Sequence, residues 1–521
     1  MTVREAALEV LRRHGLTTIF ANPGSTEVPF LAGLPSDLRF VLGLHEGTVV
    51  GMATGWAIAR GEPSLALLHT TAGLGNAVGA LATARVNRAP LVVLVGQQDR
   101  RHLAFEPFLA GKLEGLAGRY PVWSDQPARP ADVPGAIARA WHEARDGRGP
   151  AIVTVPMDDW AADAAGEPAA PRSVLRAGGV NGSAVDALVA MLESADAPVL
   201  VVGAGADDPA AWAGLVRLAE RLGCPVWQEA FGARAGFPQD HPRFAGHLPA
   251  GRGALRTALA GHDLVLAIGA PVFRQYEYEP GRLVDGGTRV AVVTDDPDEA
   301  HRSAADLAVL ASPAAVCAAL AERVGERDDV LSPAGGAPAA SPPADGEPLR
   351  ATHVLAALAD RLPRDVVVVE ETPSSRPDLH RLLRAREPLG FLSAAMGGLG
   401  FALPAAVGVR LARPDRPVVA VVGDGSSLYA IQALWSAARY RAGVLFVILS
   451  NGGYAIMDRL AGGRGPWPSF DDVDVAGLAR ALACPAVSVD GYDDVVAAFD
   501  EVVPGLATRE DPLVLDVSVQ P

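Results

Sequence analysis

The apolar run at residues 418–422, followed by Gly423-Asp424-Gly425, constrains this chain more than any other stretch. Val-Val-Ala-Val-Val has no polar alternation, which predicts a strand buried on both faces, as in a parallel sheet. Residues 428–440 carry an amphipathic pattern and predict a helix. A second apolar run at 444–449 predicts the next strand, with Asn451 just past its end. Asp424 and Asn451 then stand at the carboxyl ends of two strands in one βαβ unit, where open α/β sheets bind ligands. A carboxylate and an amide oxygen are hard ligands, suited to a Mg²⁺ ion that keeps some water and holds phosphates. The glycines allow backbone to approach those phosphates closely.

The same alternation of amphipathic helix and short apolar strand runs through the chain. Strands are expected at 17–21, 40–43, 64–68, 91–95, 199–202, 265–269 and 366–369, and helices at 3–14, 47–59 and 350–362. Two stretches break the rhythm. Residues 161–180 are rich in Ala, Pro and Gly, and 331–348 read as a linker. The expected fold is therefore α/β, with three doubly wound parallel-sheet domains spanning 1–165, 181–328 and 349–521.

Charge narrows the partners. A formal net charge of −15 over 521 residues argues against nucleic acid and anionic membrane. Cys224, Cys317 and Cys484 are isolated, as in small core residues of a reduced, cytoplasmic protein. The N-terminus begins an amphipathic helix without an apolar signal core, and no apolar run reaches membrane-spanning length.

In the first third, Ser25, Glu46 and His69 each fall just after a predicted strand. In a parallel sheet those points converge on one edge, so the three together suggest a site. Glu46 also begins a helix, where a carboxylate is favoured by the helix dipole. In the middle third, Gly203-Ala204-Gly205-Ala206 follows a strand, but Asp208 stands where a dinucleotide fingerprint needs glycine. FAD is not expected there.

Several of these segments resemble the thiamine diphosphate enzymes. Gly423-Asp424-Gly425 with Asn451 looks like their diphosphate and metal motif, and the segment from Leu44 to Ala53 resembles the one bearing their activating glutamate. Asn22-Pro23-Gly24-Ser25-Thr26-Glu27, His45-Glu46 and His69-Thr70-Thr71-Ala72-Gly73-Leu74-Gly75-Asn76 are similar to benzoylformate decarboxylases within that group. The first domain would then bind the pyrimidine and the last the diphosphate.

The resemblance implies a set of roles. Glu46 would hydrogen-bond the pyrimidine nitrogen, with Pro23 and Asn76 beside it. Gly397 would accept from the aminopyrimidine through its carbonyl, and Leu399 would wedge between the two rings. Ser374, Gly423, Asp424, Gly425, Ser426, Asn451, Gly453, Tyr454 and Ala455 would hold the remainder. Asp424, Asn451 and the Gly453 carbonyl would bind Mg²⁺, or Ca²⁺ in its place. Ser25 and His69 would face a small 2-oxo acid, with Tyr276, Ile456, Met457 and Leu460 completing its pocket. Tyr276 stands where the family has a second histidine, and Pro373 where it has a threonine. A phenol with its high pKa mostly donates a hydrogen bond, so the family's full proton relay is not carried over.

The implied reaction is non-oxidative decarboxylation of a 2-oxo acid to an aldehyde and CO₂. The implied assembly is a homotetramer with Glu46 of one chain facing Asp424 of another. Two alternatives stay open. One is a carboligase of the acetolactate synthase kind, which the altered residue at 276 permits. The other is a non-catalytic partner subunit that binds the cofactor.

Overall fold

The computed structural model describes residues 1–165, 171, 174, 179–327 and 342–520. Much of the 161–180 stretch and most of the 331–348 linker lie outside the described residues. Three six-stranded sheets form, and every strand pairing recorded between named strands is parallel. Parallel strands need crossover helices, and those helices bury both faces of each sheet.

The first sheet contains β1 (Thr18–Asn22), β2 (Arg39–Leu42), β3 (Ser64–Leu68), β4 (Leu91–Gln97), β5 (Trp123–Asp125) and β6 (Pro150–Pro156). The second contains β7 (Pro198–Val202), β8 (Val226–Gln228), β9 (Phe244–His247), β10 (Leu264–Ile268), β11 (Arg289–Thr294) and β12 (Leu307–Leu310). The third contains β13 (Val367–Glu371), β14 (Phe391–Ser393), β15 (Val418–Gly423), β16 (Leu445–Ser450), β17 (Ala486–Val489) and β18 (Leu513–Ser518). The first sheet runs β2-β1-β3-β4-β6-β5 and the third runs β14-β13-β15-β16-β18-β17, the same order shifted by twelve strands. The second runs β12-β11-β10-β7-β8-β9.

The doubly wound character shows in the second sheet's cores. Leu200, Val202, Leu266 and Ile268 point into one apolar cluster. Val199, Val201, Val265 and Ala267, their alternates, point into another. Strand period two thus feeds a hydrophobic layer on each side.

Two compact units result. One is built from Met1–Leu175, Val369–Ser374 and Ala394–Pro521, and the other from Arg176–Val368 and Ser375–Ser393. Within the first unit, the helix Glu46–Arg60 packs on the helix Ala402–Ala412. Glycines make this contact backbone to backbone. A Cβ on Gly55 would lie 2.1 Å from the Ala405 carbonyl oxygen, and one on Gly408 would lie 1.9 Å from that of Met52. Nearby, the Tyr440 hydroxyl accepts from the Leu42 N–H at 2.7 Å, and Ser436 Oγ donates to the Leu42 carbonyl at 2.9 Å. Leu42 ends β2, four residues before Glu46, so the last third of the chain clasps the strand that leads to the carboxylate.

One expected element is corrected. Residues 428–440 do not form a single helix. Short helices at Asp424–Ser427 and Ala433–Arg439 flank a tight turn at 428–432. Ser427 Oγ donates to the Asp424 carbonyl at 2.6 Å, competing for an acceptor that a continuous helix would use. Tyr429 N–H and Ala430 N–H then reach back three residues instead of four.

The helix contact makes a stability prediction. Gly408→Val should lower the free energy of unfolding by about 3 kcal/mol or more, because neither backbone can yield locally. Urea denaturation checks this, and an unchanged midpoint would contradict the packing account.

Candidate active site

In sheets ordered 2-1-3-4, the crossovers change direction between the first and third strands, and a crevice opens at their carboxyl ends. In the first sheet this point lies between β1 and β3, which are paired through Asn22 and Leu68. Ser25 and Glu27 follow β1, and His69 follows β3 as the N-cap of the helix Thr70–Val86. In the third sheet it lies between β13 and β15, after which come Ser374 and Asp424.

Glu46 is the first residue of its helix and is 8% exposed. Asn22 Nδ2 donates to one carboxylate oxygen at 3.0 Å and Asn76 Nδ2 to the other at 3.1 Å. His45 caps the helix by accepting the Gly47 N–H at 3.0 Å on Nδ1. The carboxylate is thus held by two neutral amides and the positive end of a helix, with lone pairs left over.

His69 is anchored by a residue that sequence reading left without a role. Its Nδ1 lies 3.0 Å from Glu27 Oε2 and 3.0 Å from Thr26 Oγ1. Glu27 is buried and accepts from Gly24 N–H at 2.7 Å and from Thr26 Oγ1 at 2.5 Å. An ionised carboxylate only accepts, so the network assigns the hydrogen to Nδ1 and leaves Nε2 for proton exchange. Two glycines make room for the pair. A Cβ on Gly24 would lie 2.4 Å from the imidazole, and one on Gly96 would lie 1.6 Å from Glu27 Oε1. Gly24 follows β1 and Gly96 lies near the end of β4, on either side of β3. Ser25 is exposed in the same turn.

In the third sheet, Asp424 is 6% exposed. It accepts from Gly425 N–H at 2.7 Å on one oxygen, and from Asn451 N–H at 2.9 Å and Gly452 N–H at 2.7 Å on the other. Burial raises its pKa, and the three N–H groups pull the other way. Asn451 Oδ1 accepts from Gly453 N–H at 3.1 Å. Gly425 admits no side chain, since a Cβ would lie 2.8 Å from the Tyr454 ring and 2.9 Å from Phe470. Ser426 is buried behind Asp424, and Ala455 opens the helix Ala455–Ala461. Ser374 Oγ accepts from the Ile456 N–H at 3.0 Å, tying the turn after β13 to that helix.

Met457 is 42% and Leu460 49% exposed, and Ile456 is half-buried. The apolar stripe they form is therefore not core. Gly397 has φ +74° and lies in an exposed turn that leads through Leu399 to the helix Ala402–Ala412. Pro23 follows β1 and is half-buried. Tyr276 belongs to the other compact unit and is 66% exposed.

Comparison with known proteins identifies the family. Thiamine pyrophosphate enzyme domains match in the N-terminal type at residues 1–115, the central type at 185–320 and the C-terminal type at 374–517. The chain is 39% identical over 533 aligned residues to a benzoylformate decarboxylase of Pseudomonas aeruginosa, covering 100% of this chain and 99% of that one. It superposes on a thiamine diphosphate-dependent 4-hydroxybenzoylformate decarboxylase of Rhodococcus jostii with a TM-score of 0.93 at 39% identity, covering 100% and 99% of the two chains. For a benzoylformate decarboxylase of Polynucleobacter necessarius the TM-score is 0.95 at 33% identity, with 100% and 98% covered. With matching domains in the same order and full-length similarity, the chain belongs to the thiamine diphosphate enzyme family, in its benzoylformate decarboxylase-like group.

Proposed function

We propose that this chain is a thiamine diphosphate- and Mg²⁺-dependent decarboxylase that converts a 2-oxo acid to an aldehyde and CO₂. The observation that carries the reading is the pairing of a buried, amide-held Glu46 with a Glu27–His69 couple at one sheet edge. The residues present fit the cofactor. Glu46 keeps lone pairs for a protonated ring nitrogen, and beside Gly453 the space a Cβ would take is open, as close approach of a diphosphate needs.

The metal reading rests on donor chemistry. Among the described residues no group of three or more His, Cys, Asp or Glu could hold a metal. Asp424, Asn451 and the Gly453 carbonyl supply one charge and three oxygens, a set suited to a Mg²⁺ that arrives with phosphates. Asp424 has only neutral N–H partners, and a cation would relieve the penalty that burial places on its charge.

Bound thiamine diphosphate supplies a nucleophilic carbon and an acceptor for the electron pair left when CO₂ departs. The chain's own groups do the rest. Glu46 would hydrogen-bond the pyrimidine nitrogen. Leu399 and the Gly397 carbonyl would hold the cofactor beside Glu46 of the partner subunit. Ser25 donates a hydrogen bond to the substrate, and His69 gives or takes a proton at Nε2 while Glu27 holds Nδ1. Ile456, Met457 and Leu460 form the substrate wall.

The working assembly is a homotetramer with active sites between subunits. Leu44, Met396, Tyr429, Met457 and Leu460 are all more than 40% exposed in the single chain and flank both halves of the site, which supports a covering partner. The location is cytoplasmic, in keeping with three buried free cysteines whose thiols burial pushes up to about 12. No helix among the described residues is long and apolar enough to cross a membrane. The domain boundaries fall at 1–165, 181–328 and 349–521.

Two measurements test this. Thiamine diphosphate with Mg²⁺ should raise the melting temperature, with the shift lost in EDTA, by mass action on the native state. No shift would overturn the cofactor reading. Incubation with benzoylformate, 4-hydroxybenzoylformate, pyruvate and branched 2-oxo acids should release free aldehyde. Glu46→Gln and Glu27→Gln should each cut turnover by about 10²–10⁴-fold without loss of fold. Acyloin without free aldehyde would instead favour the carboligase.

A further inference from the structure

Glu371 is the last residue of β13 and is 4% exposed. Its carboxylate does not stay in the sheet. Oε1 accepts from the Gly400 N–H at 2.6 Å, and Oε2 accepts from Phe401 N–H at 2.7 Å and Ala402 N–H at 2.6 Å. These donors open the helix Ala402–Ala412, whose N-cap, Phe401, has no acceptor of its own. A strand therefore caps a helix from outside.

Capping alone is a poor reason for this residue. A serine or aspartate at 401 would supply a cap locally, worth about 1 kcal/mol. A buried carboxylate carries a desolvation penalty that three N–H groups must offset. That penalty, with a contribution from neighbouring Glu370, pushes Glu371 up to about 7 against the pull of those N–H groups. What the carboxylate does that a local cap cannot is span a turn. The turn runs from Gly397, φ +74°, to Gly400, φ +89°, two left-handed positions that leave the backbone between them no helical or strand ladder. Leu399 sits directly before the first captured N–H.

The same strand end faces a second wall. Glu370, one residue earlier, accepts from Thr372 N–H at 2.6 Å and Thr372 Oγ1 at 3.0 Å, fixing the turn that carries Ser374 to Ile456. The adjacent acids thus brace two turns that leave β13, one toward Leu399 and one toward the Ile456 helix.

We propose that Glu371 is a positioning residue that acts through Leu399 and the Gly397 carbonyl, holding them where the cofactor must bend. The assignment rests on the thiamine diphosphate reading above. Glu371→Gln keeps size but replaces one accepting oxygen with an N–H₂ group facing backbone N–H. The turn loosens while the cofactor's diphosphate site, built from Asp424 and Asn451, stays whole.

The test follows hydrogen–deuterium exchange at the thiazolium C2 of bound thiamine diphosphate, read by proton NMR after acid quench, without substrate. At saturating cofactor and Mg²⁺, Glu371→Gln should exchange about a hundredfold more slowly than wild type, as expected for a misplacement of about 1 Å. Its kcat should fall in parallel with little change in KM. A lower melting temperature with wild-type exchange would mean the carboxylate is only a cap, and would overturn the proposal. Should Glu371→Gln not fold, Gly400→Ala disturbs the same turn with the acid intact. Wild-type exchange in that variant would equally overturn it. If wild type shows neither a thermal shift nor accelerated exchange, the cofactor reading fails instead.

Discussion

The backbone contact between the helices Glu46–Arg60 and Ala402–Ala412 is the constraint on which the rest of the first unit depends. Helices separated by ordinary side chains can slide or tilt as those side chains change rotamer. Here Gly55 and Gly408 remove the intervening layer, and carbonyl oxygens fill the space instead. The start of one helix is Glu46 and the approach to the other is Leu399. The contact therefore fixes the spacing between Glu46 and Leu399 of one chain, which in the proposed assembly belong to two different sites. Tyr440 and Ser436 add polar anchors at Leu42, on the strand that delivers Glu46.

The first and third sheets solve the same problem with one strand order. Each opens a crevice between its first and third strands, and each places a buried carboxylate there. The partners differ in a way that suits the tasks. Glu27 sets a histidine tautomer, whereas Asp424 gathers backbone N–H groups from the ends of two strands. In each case hydrogen-bond donors around the carboxylate decide what it can do.

Much of this was legible in the chain. The strand at Ser64–Leu68 falls where its apolar run predicts, and the Val418 strand ends one residue beyond its run, because such runs are buried on both faces and admit little alternative. His69 and Asp424 drew notice because each directly follows such a run, and Glu46 because it begins a helix shortly after β2. The turn at 428–432 was missed because an amphipathic pattern does not register a serine hydroxyl taking a helix carbonyl. Glu27 and Glu371 were missed for another reason. Their partners, His69 and the Gly400–Ala402 backbone, come from distant segments, and only strand order brings them together. The swap of the last two strands in each order, β6 before β5 and β18 before β17, likewise has no local signature.

The exposure of Met457 and Leu460 has a consequence for how such a protein can diversify. These side chains hang from a short helix, and replacing them alters a surface rather than a frame. The glycines at 55 and 408 allow no comparable drift, since the smallest added group meets a carbonyl. If Met457 and Leu460 form the proposed substrate wall, a change of substrate can proceed there while the helix contact is inherited unchanged. A lineage built on this plan would be expected to vary at Met457 and Leu460 long before it varies at Gly55 and Gly408.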